Sequence, residues 1–155
     1  MREMRRKERQ LTDEETKQLL QKENWGVLSV SGDDGFPYGV PVNYVFADGR
    51  IYIHCSSAES HKLDGIRRCS KVCFTVVPKD EMDAENLACS YESVIVFGIA
   101  SILDGPEEKR EAMECFMRGL APELVEWSLQ KCDPETPALS VIRIAPVMMT
   151  GKRGH

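Results

Sequence analysis

The stretch Pro37–Lys62, PYGVPVNYVFADGRIYIHCSSAESHK, decides the fold. Asp48-Gly49 separates two runs of β-branched and aromatic residues, Val45-Phe46 and Ile51-Tyr52-Ile53, and an Asp-Gly pair supplies the positive φ values of a type I′ hairpin turn. The two runs are expected to pair antiparallel. Pro37 and Pro41 lack amide donors, which confines the extended run Tyr38 to Phe46 to an irregular or edge strand. After Cys55 a serine-rich corner opens a helical unit, Ala58 to Arg68, with His61 and Lys62 in its first turn and Arg67-Arg68 at its end. Basic residues at a helix N-terminus oppose the macrodipole unless an anion stands in front of them, an arrangement that suits a phosphate. A solvated helix start, with Glu59 offsetting the mispairing, explains the same local pattern, and both readings stay open at this point.

Working outward, Thr12-Asp13-Glu14-Glu15 reads as a capping box ahead of a helix from about Asp13 to Lys22, with Leu19 and Leu20 on its inner face. Trp25 to Ser31 is a strand, and Gly32-Asp33-Asp34-Gly35 is a turn. On the other side, Lys71 to Val77 is a strand stopped by Pro78, and the acidic segment Lys79 to Ser90 is expected to be a loop across the outside. Tyr91 to Leu103 is the longest strand candidate, with Gly98 marking a bend or bulge. Gly105-Pro106-Glu107-Glu108 starts a helix that buries Ala112, Met113, Phe116, Met117 and Leu120. Pro122 to Lys131 forms a short helix holding Trp127, and Val141 to Ile144 closes the fold as a strand before Pro146. Hairpin-connected strands with helices at the ends imply a mainly β fold, a small antiparallel barrel with peripheral helices, in a single domain over residues 1–155.

Composition narrows the function. With 155 residues, 29% of them charged, and a net charge of −5, general attraction to nucleic acid or to anionic lipid is disfavoured. No apolar run approaches the length of a membrane span, and the basic start Met1 to Lys7 lacks the apolar stretch of a signal peptide, so a cytoplasmic protein is expected. The six cysteines are expected as reduced thiols. Cys69 and Cys73 find no second pair or nearby histidine for a zinc set, and no metal is expected. No catalytic triad, P-loop or dinucleotide-binding glycine turn is present. The carboxylates Asp33-Asp34 and Glu107-Glu108 sit in turn and cap positions. What remains is the region around Asn43, Tyr44, His54, Ser56 and Ser57, polar and aromatic groups near strand ends beside the basic helix start. Asn43 stands out because asparagine is disfavoured in strands, while its amide suits the donors and acceptors of a heterocyclic edge.

These residues carry a resemblance. The start MRRKER, the segment from Gly35 to Val76, the run YESVIVFGIASIL followed by PEEKREAM, and the ending VIRIAPVMMTGKR together resemble the flavin-binding split β-barrels related to pyridoxamine 5′-phosphate oxidase, and among them the 5-nitroimidazole-reductase resistance proteins. The resemblance implies an antiparallel split barrel of the six-stranded type and a homodimer binding FMN in a cleft between subunits. It implies that Pro41 to Phe46, Val42, Asn43 and Tyr44 among them, line the flavin ring, that Ile53 and His54 follow on the paired strand with Ser56 a further cofactor contact, that His61 and Lys62 hold the phosphate, and that Ser93 approaches the flavin. The implied activity is reduction of a small electrophile such as a nitro compound, with His54 as hydrogen-bond donor or proton source. His61 in place of an arginine sets the chain apart from the vitamin B6 oxidases. A flavin- or haem-binding carrier or sensor without turnover, and a purely structural dimerisation module, are the competing classes.

Overall fold

The computed structural model describes residues 2–55, 59–85, 88–131 and 139–154. Among the described residues seven strands form one sheet: β1 (Trp25–Ser31), β2 (Pro37–Asn43), β3 (Val45–Ala47), β4 (Arg50–Cys55), β5 (Lys71–Asp83), β6 (Ala88–Leu103) and β7 (Ser140–Gly154). Their order is β2-β1-β5-β6-β7-β4-β3, with every neighbouring pair antiparallel. The edge strands β2 and β3 are consecutive in the chain and joined through Tyr44 alone. The sheet curls until its two edges meet at a covalent seam that carries no ladder of hydrogen bonds, which is the geometry of a split barrel.

Tyr44 makes that seam. Its N–H donates to the Asn24 carbonyl at 3.0 Å, and its hydroxyl donates to the Leu20 carbonyl at 3.0 Å. Its ring meets Phe74 edge-on at 4.9 Å. The extended run Tyr38 to Phe46 is therefore broken at Tyr44, and the break divides one passage of a six-stranded barrel into two strand segments. Pro37 and Pro41 lie on β2, which pairs with β1 alone, so their missing donors face an edge as expected. Asp48 and Gly49 have φ of 51° and 71°, the type I′ turn between β3 and β4.

Two expectations at prolines are corrected. Lys79 to Ser90 is largely strand rather than loop: β5 passes Pro78 through a register shift between Val76 and Lys79, then pairs again from Lys79↔Glu92 to Asp83↔Ala88. A bulge interrupts the ladder where proline has nothing to donate. Glu81 and Met82 are exposed there, so pairing leaves no apolar alternation in the sequence. β7 likewise does not stop before Pro146 but runs to Gly154. Phe97 pairs with Met148 and Gly98 with Pro146, which makes Val147 the extra residue of a bulge. The irregularity read at Gly98 is present, with the additional residue on the opposite strand.

The helices cover the open ends. In α1 (Asp13–Lys22) the capping box is reciprocal, Glu15 N–H donating to Thr12 Oγ1 at 3.2 Å and Thr12 N–H to Glu15 Oε2 at 2.9 Å. Leu20 from α1 and Leu63 and Ile66 from α2 (His61–Arg68) join Leu28, Phe74, Val94, Val96, Ile142 and Ile144 inside the barrel. A second cluster forms where α3 (Pro106–Leu120) sets Ala112, Met113 and Phe116 against Val45, Tyr52 and Val141. Trp127, on the short α4 (Val125–Lys131), is exposed.

Candidate functional site

The first turn of α2 stands beside the C-terminal end of β4. Ser60 caps the helix, its Oγ accepting from the Leu63 N–H at 3.4 Å. Lys62 stands close enough to the Cys55 thiol of β4 to lower its pKa. Burial pushes that thiol's pKa up, and Lys62 offsets the rise only in part. His54, one residue earlier on the opposite face of β4, is exposed, with its ring centroid 5.9 Å from that of Phe116 on α3. Desolvation by its surroundings and then the Lys62 ammonium lower the His54 pKa below the ordinary histidine value. At neutral pH it is a neutral imidazole, with one nitrogen donating and the other accepting.

His61 faces another way. Its ring stacks on Tyr38 with centroids 3.9 Å apart and planes at 21°. Its Nε2 is shielded from solvent without a hydrogen-bond partner and lies 3.5 Å from Asp33 Oδ2. From the far end of α2, Arg68 donates to the carbonyls of Ser31 (2.9 Å) and Gly32 (2.6 Å) and to Asp33 Oδ1 (2.7 Å). The Arg68 hydrogen bond, followed by the His61 charge, holds the Asp33 carboxyl below the usual range. His61 and Arg68 thus tie α2 to the β1–β2 turn, while Lys62 is the cation presented at the helix start on the β4 side.

The other sequence-derived candidates divide clearly. Asn43 is exposed, pairs with Trp25 across β1–β2, and donates its Nδ2 to the Asn24 carbonyl at 3.3 Å. The β3–β4 ladder ends at Val45↔Tyr52, so it does not extend to Asn43 or His54. Val42 is buried, and Tyr44 and Ile53 have no exposed surface, so in this chain they pack beneath the site. Tyr44's phenol is raised far above its ordinary pKa by burial, and then by Glu23. Ser56 lies outside the described residues. Ser93 pairs with Lys152, at the far end of β7 from Val141, the partner of His54. It lines a cavity of about 220 Å³ with Arg2, Ile95, Phe97, Thr150 and Lys152. Within one chain, His54 and Lys62 come together and Ser93 does not join them. Tyr38, Asp33, Arg68 and Phe116 escaped sequence reasoning because they reach the site across elements, and no local spacing marks them.

A curled antiparallel sheet with a seam, a capped basic helix start and an exposed histidine at the adjacent strand end define a split barrel of the flavin-binding type. The family profile described as pyridoxamine 5′-phosphate oxidase matches residues 12–153, and the chain belongs to that family. Comparison with curated protein sequences found no match. Among solved structures, a protein of Bacteroides thetaiotaomicron assigned to 5-nitroimidazole antibiotic resistance is similar at 22% identity and TM-score 0.76, over 94% of this chain and 86% of that one. A flavocytochrome of Azotobacter vinelandii gives 24% identity and TM-score 0.77, over 97% of this chain and 72% of that one. An FAD- and haem-binding protein of Mycobacterium smegmatis gives 17% identity and TM-score 0.80, over 95% and 74%. At these identities the likeness is one of fold. Among the described residues no helix is long and apolar enough to cross a membrane.

Proposed function

We propose that the protein is an FMN-dependent oxidoreductase of the nitroreductase-like kind, acting on a small electrophile such as a nitro compound. The observation that carries this reading is the meeting of Lys62, at the capped start of α2, with the exposed and neutral His54 at the end of β4. FMN, when bound, supplies two-electron redox chemistry. The chain fits its phosphate through Lys62 and the N–H groups at the start of α2. His61 contributes less directly, because its Nε2 is turned towards Asp33 and its ring fixes the helix against Tyr38. At neutral pH His54 would donate a hydrogen bond to the substrate from the solvent side of β4, and in the imidazolium form, populated below its lowered pKa, it would pass on a proton as the substrate's electron density rises.

The working unit in this reading is a homodimer with the flavin at the subunit interface. The outer sheet face supports it: Val27, Ile95, Phe97 and Ile99 are 38%, 39%, 39% and 37% exposed. The register Val27↔Thr75↔Ile95 sets Val27 on β1 in line with Ile95 on β6, with Thr75 of β5 between them. Exposed apolar residues on one sheet face suit a second copy of the chain. Ser93 then serves the site of the partner rather than that of its own chain.

Spectroscopy of the purified protein tests the proposal. A flavin band bleached by NAD(P)H and restored by a nitro acceptor supports it, and a flavin that no nicotinamide reduces argues for the second reading, a carrier or sensor. The fold likeness to the flavocytochrome and to the FAD- and haem-binding protein favours that alternative, and a Soret band would identify it.

A further inference from the structure

One carboxylate reaches both ends of α2. Asp33, in the turn between β1 and β2, accepts from Arg68 Nη2 at 2.7 Å through Oδ1 and places Oδ2 3.5 Å from His61 Nε2, and these are the last and first residues of the helix. His61, Gly65 and Arg68 follow at i, i+4 and i+7, which sets them on one face of α2. That face is seated without clearance: a Cβ on Gly65 would stand 2.5 Å from Val30 Cγ2 and 2.8 Å from the Ser31 carbonyl oxygen. The seat is itself held. Gly32 N–H donates to the Phe36 carbonyl at 2.9 Å and Phe36 N–H to the Asp33 carbonyl at 3.0 Å, while Asp34 and Gly35 turn the chain with φ of 52° and 79°. Arg68 reaches past Asp33 to the carbonyls of Ser31 and Gly32, so the C-terminal end of α2 is fastened by several bonds. At the N-terminal end His61 lies on the Tyr38 ring, and its shielded Nε2 has the Asp33 carboxylate in front of it.

We infer that Asp33 is the positioning residue for the anion site at the start of α2: by clasping His61 and Arg68 it fixes the angle at which Lys62 and the first N–H groups of the helix meet a phosphate. Those N–H groups have no partner inside the helix, and Lys62 follows His61 directly, so the tilt of the first turn aims them all together. Donors held in line before the ligand arrives lose less freedom on binding, which is where such a clasp adds affinity. The inference rests on the flavin reading above for the identity of the phosphate. Asp33 is also an anion, and its bare charge works against a phosphate while its clasp works for one. The Asp33 and Arg68 side chains are 64% and 45% exposed and lie against each other, so pairing and solvent screen the repulsion and the clasp decides the sign.

Two variants of opposite charge separate the clasp from simple electrostatics. Affinities for FMN and for riboflavin are measured on the full chain by fluorescence quenching in wild type, Asp33→Asn and Arg68→Gln, together with hydrogen exchange of the first turn of α2. The ratio of FMN to riboflavin affinity should fall about three- to ten-fold in both variants, the worth of one hydrogen bond whose donor is no longer held in line. Exchange in the first turn should quicken in both. A general loosening of the barrel would weaken the two ligands alike, and that result overturns the inference. So does a ratio that rises in Asp33→Asn and falls in Arg68→Gln, because charge alone then explains it. A ratio that Lys62→Ala lowers and Asp33→Asn leaves unchanged overturns the clasp while the flavin reading stands. If wild type binds neither flavin, the flavin reading falls and the exchange decides: a quickened first turn in both variants upholds Asp33 as the residue that holds the helix start, and unchanged exchange overturns it.

Discussion

At the smallest scale the proposed function rests on Lys62 and His54, and each makes a separable claim. Lys62→Ala should weaken FMN about ten- to a hundred-fold, the worth of one charge-assisted hydrogen bond, and weaken riboflavin much less, since only FMN has the phosphate. Fluorescence quenching with both ligands checks it, and an equal loss for both removes Lys62 from the phosphate. His54→Ala should keep FMN and slow reoxidation by a nitro acceptor about 10²- to 10⁴-fold, the usual contribution of a placed proton donor. The pH dependence follows from the lowered pKa. The imidazolium form is lost as pH rises through a value below about 6.5, so a rate that uses its proton falls over that window. Stopped-flow rates across pH 4.5 to 7.5 should show the fall in wild type and not in His54→Ala. Lys62 was legible in the sequence because a cation at a helix start is a local anomaly. The turning of His61 towards Tyr38 and Asp33 was not, because both partners lie on the β1–β2 hairpin and no spacing announces the stack.

At the scale of elements, what could be read was what is decided within a few residues. The capping box spans Thr12 to Glu15 and the type I′ turn spans Asp48 and Gly49, so each is complete inside its own sequence window. Thr12→Ala removes the acceptor for the Glu15 N–H and should cost about 1 kcal/mol. Thermal unfolding should then shift down by roughly 2–4 °C in a chain of this size. The strands around Pro78 and Pro146 were misread because a proline ends a strand in local reasoning. Whether a bulge rescues it depends on the partner strand. Gly98 is the checkable counterpart: a Cβ there would lie 2.5 Å from Ile144 Cγ2 and 2.9 Å from the Ala145 carbonyl oxygen. The carbonyl cannot rotate away, so Gly98→Ala should destabilise by about 1–3 kcal/mol through overpacking. Circular dichroism melting decides it, and an unchanged midpoint would place the bulge elsewhere. Tyr44 is the same lesson on the larger element: its residue type suited a ligand-facing aromatic, and only the closure of the sheet made it a core residue.

Across the whole molecule, the split barrel leaves an apolar face outside and a polar helix start at one end, and the proposed dimer accounts for both. Light scattering should give twice the chain mass of 17.5 kDa. Ile99→Lys, which places a charge on the outer face, should shift the protein towards monomer and release flavin in parallel. A monomer that holds FMN tightly and stoichiometrically would end the shared-cleft account. The barrel and its helices were legible from hairpin turns, caps and apolar periods, whereas a site shared between two chains, as proposed, would leave no local trace beyond the scattered exposed residues Val27, Ile95 and Phe97. Mass spectrometry of the ligand released on denaturation tests the central claim most directly. The account predicts yellow protein that releases FMN in proportion to chain; colourless protein that takes up no FMN on titration would contradict it.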